Sequence, residues 1–253
     1  MLNSCNRDID QFLTKKYDEK FAQIPNLTWY PWVGKDYDSY RRLIVGESNY
    51  VNKEILNETK HAALKRAADD KDFERKVVDC LGCCGGQRNK TMDALVKMLS
   101  QEPIIRFDLW RRVAMMELLQ QPIIGSGWGN KCKSKKLSTT QLNRGVNVVI
   151  SVMAILKPEQ VMFVGKSVLR AFQKQNVVKV LEEGRKEFFQ STKCLRKSSI
   201  SYGCIAMNSE YNIKYVAVAH PGGSYGFNVD KWHKELNELK EQGFVVCKDK
   251  DNK

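Results

Sequence analysis

Three short, uninterrupted apolar runs, each ending on glycine or a polar turn, constrain this chain more than anything else in it. They span residues 43–46, 161–165 and 215–219. A strand with one wet face alternates apolar and polar residues, whereas a strand that is apolar throughout has to be covered on both faces. Parallel sheets do this, and their strands need long crossovers, usually helical. The chain supplies them. Residues 139–156 carry a helical period and stop at Lys157-Pro158, where proline disfavours helix in the residue before it. Residues 167–175 and 229–242 are also helical in pattern, the latter with Asn228 in the N-cap position. Alternating strands and helices predict an α/β domain with a mainly parallel sheet.

In open parallel sheets, ligands bind beyond the carboxyl ends of the strands. Those ends read Gly46-Glu47-Ser48-Asn49-Tyr50, Gly165-Lys166-Ser167 and His220-Pro221-Gly222-Gly223-Ser224. All are polar and contain glycine, so they are expected on one rim. Residues 52–100 read as a charged, mostly helical insert broken by a loop at 81–90, and the "WYPWVG" stretch (29–34) as the closure of one sheet edge. The whole chain, insert included, reads as one domain over 1–253, with residues 248–253 expected to be disordered.

Charge narrows the partner. The net charge is +13 and the isoelectric point about 9.3. The excess is dispersed rather than confined to a tail, with local concentrations at 131–136 and 193–198. A field of that sign favours polyanions, and nucleic acid above other soluble ones. No run reaches the ~18 apolar residues of a membrane span. The polar start of the chain lacks the apolar core of a secretion signal, so a cytoplasmic, monomeric protein is expected. Eight cysteines are then expected as free thiols. Cys80, Cys83 and Cys84 alone have ligand-like spacing, but without a second such pair the reading is no metal and no cofactor.

Three chemistries compete at the rim. A nucleophile elbow, G-x-S-x-G, would use Gly46, Ser48 and a later His220, but the second glycine position holds Tyr50, whose side chain the sharp turn excludes. A phosphate loop ending in Gly165-Lys166-Ser167 would need glycine where Gln160 stands, although a single phosphate could still dock there. The third reading rests on His220, one of three histidines, which ends an apolar strand and precedes a side-chain-poor loop.

The pairing of "GESNY" after the first strand with "HPGGS" after the last resembles the two motifs of the uracil-DNA glycosylase superfamily, and "ILKPEQVMFVG" (155–165) is similar to its helix and third core strand. The resemblance covers roughly residues 29–240 apart from the 52–100 insert. It implies a three-layer α/β/α sandwich with a central four-stranded parallel sheet, and an enzyme that flips a base out of DNA and hydrolyses its N-glycosidic bond. It implies that His220 stabilises the departing base by hydrogen bonding. Gly46, Asn49 and Tyr50 would line the base pocket. Pro221, Gly222, Gly223 and Ser224 would hold phosphates together with Gly165, Lys166 and Ser167, and Tyr225 would fill the gap left by the flipped base.

Two departures from the family pattern bear on mechanism. Members with a strong water-activating carboxylate carry aspartate where this chain has Ser48, a much weaker base, so Glu47 would have to assist or leaving-group stabilisation would have to suffice. The family's base-reading asparagine, on its second core strand, aligns with Glu117 within "LWRRVAMMELLQQP" (109–122). An ionised glutamate accepts from an exocyclic amine and a protonated one donates to a ring nitrogen, so either form favours cytosine over uracil. Excising ordinary cytosine would destroy the host genome, which directs the expectation to a damaged or modified base, such as a modified cytosine of phage DNA. A binding protein that kept the fold and lost the chemistry is the alternative, with a serine hydrolase behind it.

Overall fold

The computed structural model describes residues 9–52, 68–83, 90–99, 106–125, 138–175, 178–190, 197–208, 211–221 and 227–239. Its strands are β1 (Trp32–Val33), β2 (Arg42–Gly46), β3 (Tyr50–Asn52), β4 (Val113–Glu117), β5 (Ile123–Gly125), β6 (Gln160–Val164), β7 (Lys179–Phe189), β8 (Lys197–Asn208) and β9 (Tyr211–Val218). The three apolar runs lie side by side in β2, β6 and β9, each parallel to the next. With β4 on the other side of β2, four parallel strands occupy the middle of the sheet in the order β4-β2-β6-β9.

The sheet itself is larger than the four strands expected. It has seven, in the order β1-β4-β2-β6-β9-β8-β7, and is mixed, because β1, β8 and β7 run antiparallel to their neighbours. The antiparallel pair β7–β8 has one strand exposed along much of its length, so its sequence is polar and lacks the apolar run that betrays a central strand. Edge strand β1 is the tip of the "WYPWVG" stretch and pairs with β4, as an edge closure should. A second, two-stranded parallel sheet joins β3 to β5.

The helices are α1 (Asp18–Phe21), α2 (Tyr37–Tyr40), α3 (Phe73–Val77), α4 (Lys90–Leu99), α5 (Arg106–Arg112), α6 (Thr139–Leu156), α7 (Lys166–Gln173) and α8 (Val229–Glu238). Helix α6 has the predicted bounds. Ser138 caps it, its hydroxyl accepting from the Gln141 N–H while the Gln141 side chain accepts from the Ser138 N–H. Asn228 caps α8 by accepting from the Lys231 N–H at 3.1 Å. Helix α7 starts one residue earlier and ends two residues sooner than its pattern suggested.

Residues of the central strands alternate between two cores. Leu43, Val45, Ala114, Met116, Val161, Phe163, Tyr215 and Ala217 pack with α6 and α7. Ile44, Val113, Met115, Met162, Val164, Val216 and Val218 pack with α4, α5 and α8. Both faces are therefore dry, which is why the strands could afford no polar residue. The described parts of the 52–100 segment belong to the second core, since Val77, Val78, Met92, Leu95 and Met98 are buried there. That segment helps cover the sheet instead of decorating it. Among the described residues no helix is long and apolar enough to cross a membrane.

Candidate functional site

Strand register brings the first functional residues together. Gly46 ends β2 directly opposite Glu117, which ends β4. Helix formers surround Glu117 in sequence, yet β-pairing wins because Val113–Glu117 is buried along its whole length. The Glu117 carboxylate lies over Gly46, and a Cβ at that position would overlap it, so the glycine is what admits the acid. Beyond the strands the two loops are stitched to each other. The N–H groups of Leu118, Leu119 and Ile123 donate to the carbonyls of Gly46, Glu47 and Asn49 at 2.9, 3.0 and 2.9 Å. The backbone of the "GESN" turn is thus rigid.

A third carboxylate joins them from outside the predicted set. Glu74, on α3, is almost completely buried, and its carboxylate accepts a hydrogen bond from Asn49 Nδ2 at 3.0 Å. Its neighbour Arg75 fixes the helix. The buried guanidinium donates to both oxygens of Asp18, at 2.9 and 2.5 Å, to Asp72 at 2.9 Å and to the Pro31 carbonyl at 3.1 Å. Glu74 escaped the sequence reading because a run such as Phe-Glu-Arg-Lys looks solvent-facing. The available signal was helical spacing, which puts Glu74 one turn before Val77 and Val78 and hence on the buried face.

The two buried acids have unusual electrostatics. Burial pushes the Glu117 carboxyl well above the usual range, and repulsion from Glu74 and Glu47 adds to this. Burial pushes Glu74 up to about 7, against the stabilising hydrogen bond from Asn49. Glu74 Oε1 and Glu117 Oε2 are both buried without a hydrogen-bond partner among the described residues. Orphaned buried acceptors are costly and point to a missing partner.

His220 follows β9 at the same rim. Gly165, in the turn after β6, adopts φ +112, a left-handed conformation in which a side chain would be strained, and a Cβ there would come within 3.9 Å of His220 Cβ. Burial holds the imidazole below the usual histidine range, while the Glu47 carboxylate pulls it the other way. The Glu47 carboxylate is thus close enough to act on both His220 and Glu117. Burial favours the uncharged forms of all three groups, the His220 imidazole, the Glu117 carboxyl and the Glu74 carboxyl, the last raised to about 7.

Other predicted residues are placed differently. Ser48 is buried, and its hydroxyl donates to the Gln121 carbonyl at 2.9 Å, a bond that braces the turn. Lys166 turns along the rim to donate to Ser199 at 2.8 Å, and Ser167 is exposed. Pro221 is buried, while Gly222, Gly223, Ser224 and Tyr225 lie outside the described residues, as do Cys84 and the tail at 248–253. The backbone of Tyr50 begins β3. Cys80 and Cys83 are buried, and burial raises the Cys80 thiol above its ordinary range. Among the described residues no group of His, Cys, Asp and Glu is arranged to hold a metal ion. No family model matches the chain, and no curated protein does.

Proposed function

We propose that the chain is a DNA glycosylase of the uracil-DNA glycosylase superfamily, a three-layer α/β/α sandwich around the four parallel strands, acting on a base that bears an exocyclic amine. The observation that carries this reading is the placement of His220, Glu47 and Glu117 at the carboxyl ends of three parallel strands of one sheet, β9, β2 and β4, with the Glu47 carboxylate close enough to act on the other two. An N-glycosidic bond breaks with positive charge growing on the sugar and negative charge on the base. Neutral His220 donates a hydrogen bond to the base oxygen. Protonated Glu117 donates to the ring nitrogen, relieving the negative charge as the bond to the sugar parts. The orphaned oxygens of Glu74 and Glu117 accept from the amine, and the Glu47 carboxylate steadies the cationic sugar. Water adds to the sugar carbon, and its proton balances the one the base acquires.

Uracil fits the same groups poorly, because its carbonyl would face the acceptor oxygens where an amine is wanted. The positive charge of the chain holds the DNA backbone. Modified cytosines of foreign DNA are the substrates with both the amine and a feature that spares host DNA.

A specific observation favours the second reading, a nucleic-acid-binding fold without chemistry. Ser48 stands where a water-activating carboxylate would, and its proton is committed to a main-chain carbonyl. The two are separated by incubating the protein with end-labelled DNAs carrying uracil, deaminated purines, and plain, hydroxymethylated or glucosylated cytosine, followed by hot alkali. Strand breaks at one base type, absent with His220→Ala, are expected. Intact DNA throughout, with salt-sensitive binding, would leave the silent binder.

A further inference from the structure

The outer margin of the sheet carries a second feature that the strand-end site leaves unused. Phe189 ends β7 and is 49% exposed, one of two large apolar side chains left in solvent among the described residues. Its predecessor Phe188 turns inward against Trp232, so Phe189 stands on the opposite face, the one covered by α7. Register puts Arg185 opposite Ser201, Glu187 opposite Ser199 and Phe189 opposite Lys197, all with side chains on that face. Lys166 reaches Ser199 from the start of α7, and Arg185 and Arg170 are close enough to depress its ammonium, second to burial itself.

Four cations thus share the margin with one exposed ring: Lys197 beside it, Arg185 four residues back on the same strand face, Lys166 at Ser199, and Arg170 one turn further along α7. Lys197 lies 5.9 Å from its centroid. The carboxylate among them, Glu187, is shared between Arg185 at 3.4 Å and Lys197 at 3.9 Å, both exposed and weak pairs. Lys186, on the other face, is already neutralised by Glu235 and Glu238. The exposed Leu181 is different in kind, since it lies opposite Cys204 towards the far end of the sheet.

The position is significant. Strand β7 runs in the same direction as β9, so Phe189 lies at the end where His220 lies, two strands out, or roughly 10 Å sideways. An exposed ring set among cations is the arrangement that stacks on an unpaired base while the charges meet the phosphates. We infer that the Phe189 face of the β7–β8 margin grips the unpaired nucleotides flanking the flipped one, with Phe189 stacking on a base and Arg185, Lys197, Arg170 and Lys166 neutralising the backbone. This rests on the base-excision reading above, because it needs a strand whose flipped nucleotide occupies the neighbouring rim.

The probe is a fluorescein-labelled single-stranded DNA of mixed sequence, its affinity read by anisotropy across a salt series. Phe189→Ala is expected to weaken binding roughly tenfold at every salt concentration, with the salt slope unchanged, and Phe189→Trp to restore it. The double variant Arg185→Ala/Lys197→Ala is expected to make the log–log salt slope shallower by about 1.4. If Phe189→Ala and the double variant both bind within about twofold of wild type, while wild type excises its base, this surface is refuted and the glycosylase reading survives. If wild type binds no DNA even at low salt, both fall together.

Discussion

At the residue scale, the site depends on acids kept protonated by burial. Glu74 makes this testable through stability. A carboxyl with a raised pKa in the folded protein holds its proton more tightly there than in the unfolded chain. Between about 4.5 and about 7 the unfolded chain has released that proton and the folded one retains it, so the contribution of Glu74 to stability falls across this window and is level above it. Glu74→Gln cannot ionise. Its melting temperature relative to wild type should therefore rise from pH 4.5 to pH 7, and parallel curves would remove Glu74 from the buried pair. Glu117 should report in the rate. Single-turnover excision should decline as pH rises through the raised pKa of its carboxyl, and Glu117→Gln, which keeps a donor, should lose that decline. Ser48 separates the chemistries most simply. Ser48→Ala should cost about 1 kcal/mol, from the lost hydrogen bond to Gln121, and leave excision nearly unchanged. A serine hydrolase would be abolished.

At the element scale, much of the architecture was legible where burial forces a run of apolar side chains. Strands β2, β6 and β9 and helix α6 could be read because each has a single dominant demand, dry faces for the strands and one dry stripe for the helix. Strand β4 was half legible. Its Met and Glu residues favour helix locally, and only pairing with β2 makes them extended. The β7–β8 pair was missed because its residues answer to solvent on one side. Helix α3 was missed as a contributor because its charged residues turn inward to one another's partners. That helix has its own prediction. Arg75→Ala leaves Asp18 without its partner and the Pro31 carbonyl without a donor, which should destabilise the fold by about 3–5 kcal/mol, measured by urea unfolding. It should also lower excision in the fraction that remains folded, since Arg75 holds the helix that carries Glu74. An unchanged unfolding midpoint would contradict that role.

At the scale of the whole molecule, the distribution of charge divides the labour. The chain is strongly basic, yet the rim of its sheet carries three glutamates: Glu74 and Glu117 lie buried and act on each other, and Glu47 acts on both Glu117 and His220. A basic exterior suits a polyanion, and buried carboxyls held towards their neutral form can both donate to and accept from the edge of a base. The proposed ligand, a nucleic acid with a base turned out of its stack, would engage both parts at once. Two of the three acids, with His220, were visible in the sequence as strand-end residues. The third came from a helix, 25 residues beyond Asn49, and only the folded arrangement brings it in.

The most direct measurement is the mass of whatever leaves the DNA. Purified protein is incubated with genomic DNA containing modified cytosine, small molecules are separated from the polymer, and the filtrate is identified by mass spectrometry. The proposed chemistry predicts a free amine-bearing base without its sugar, an equal number of abasic sites in the polymer, and neither product with His220→Ala. Release of nucleotides or nucleosides, or no release from DNA that the protein demonstrably binds, would contradict it.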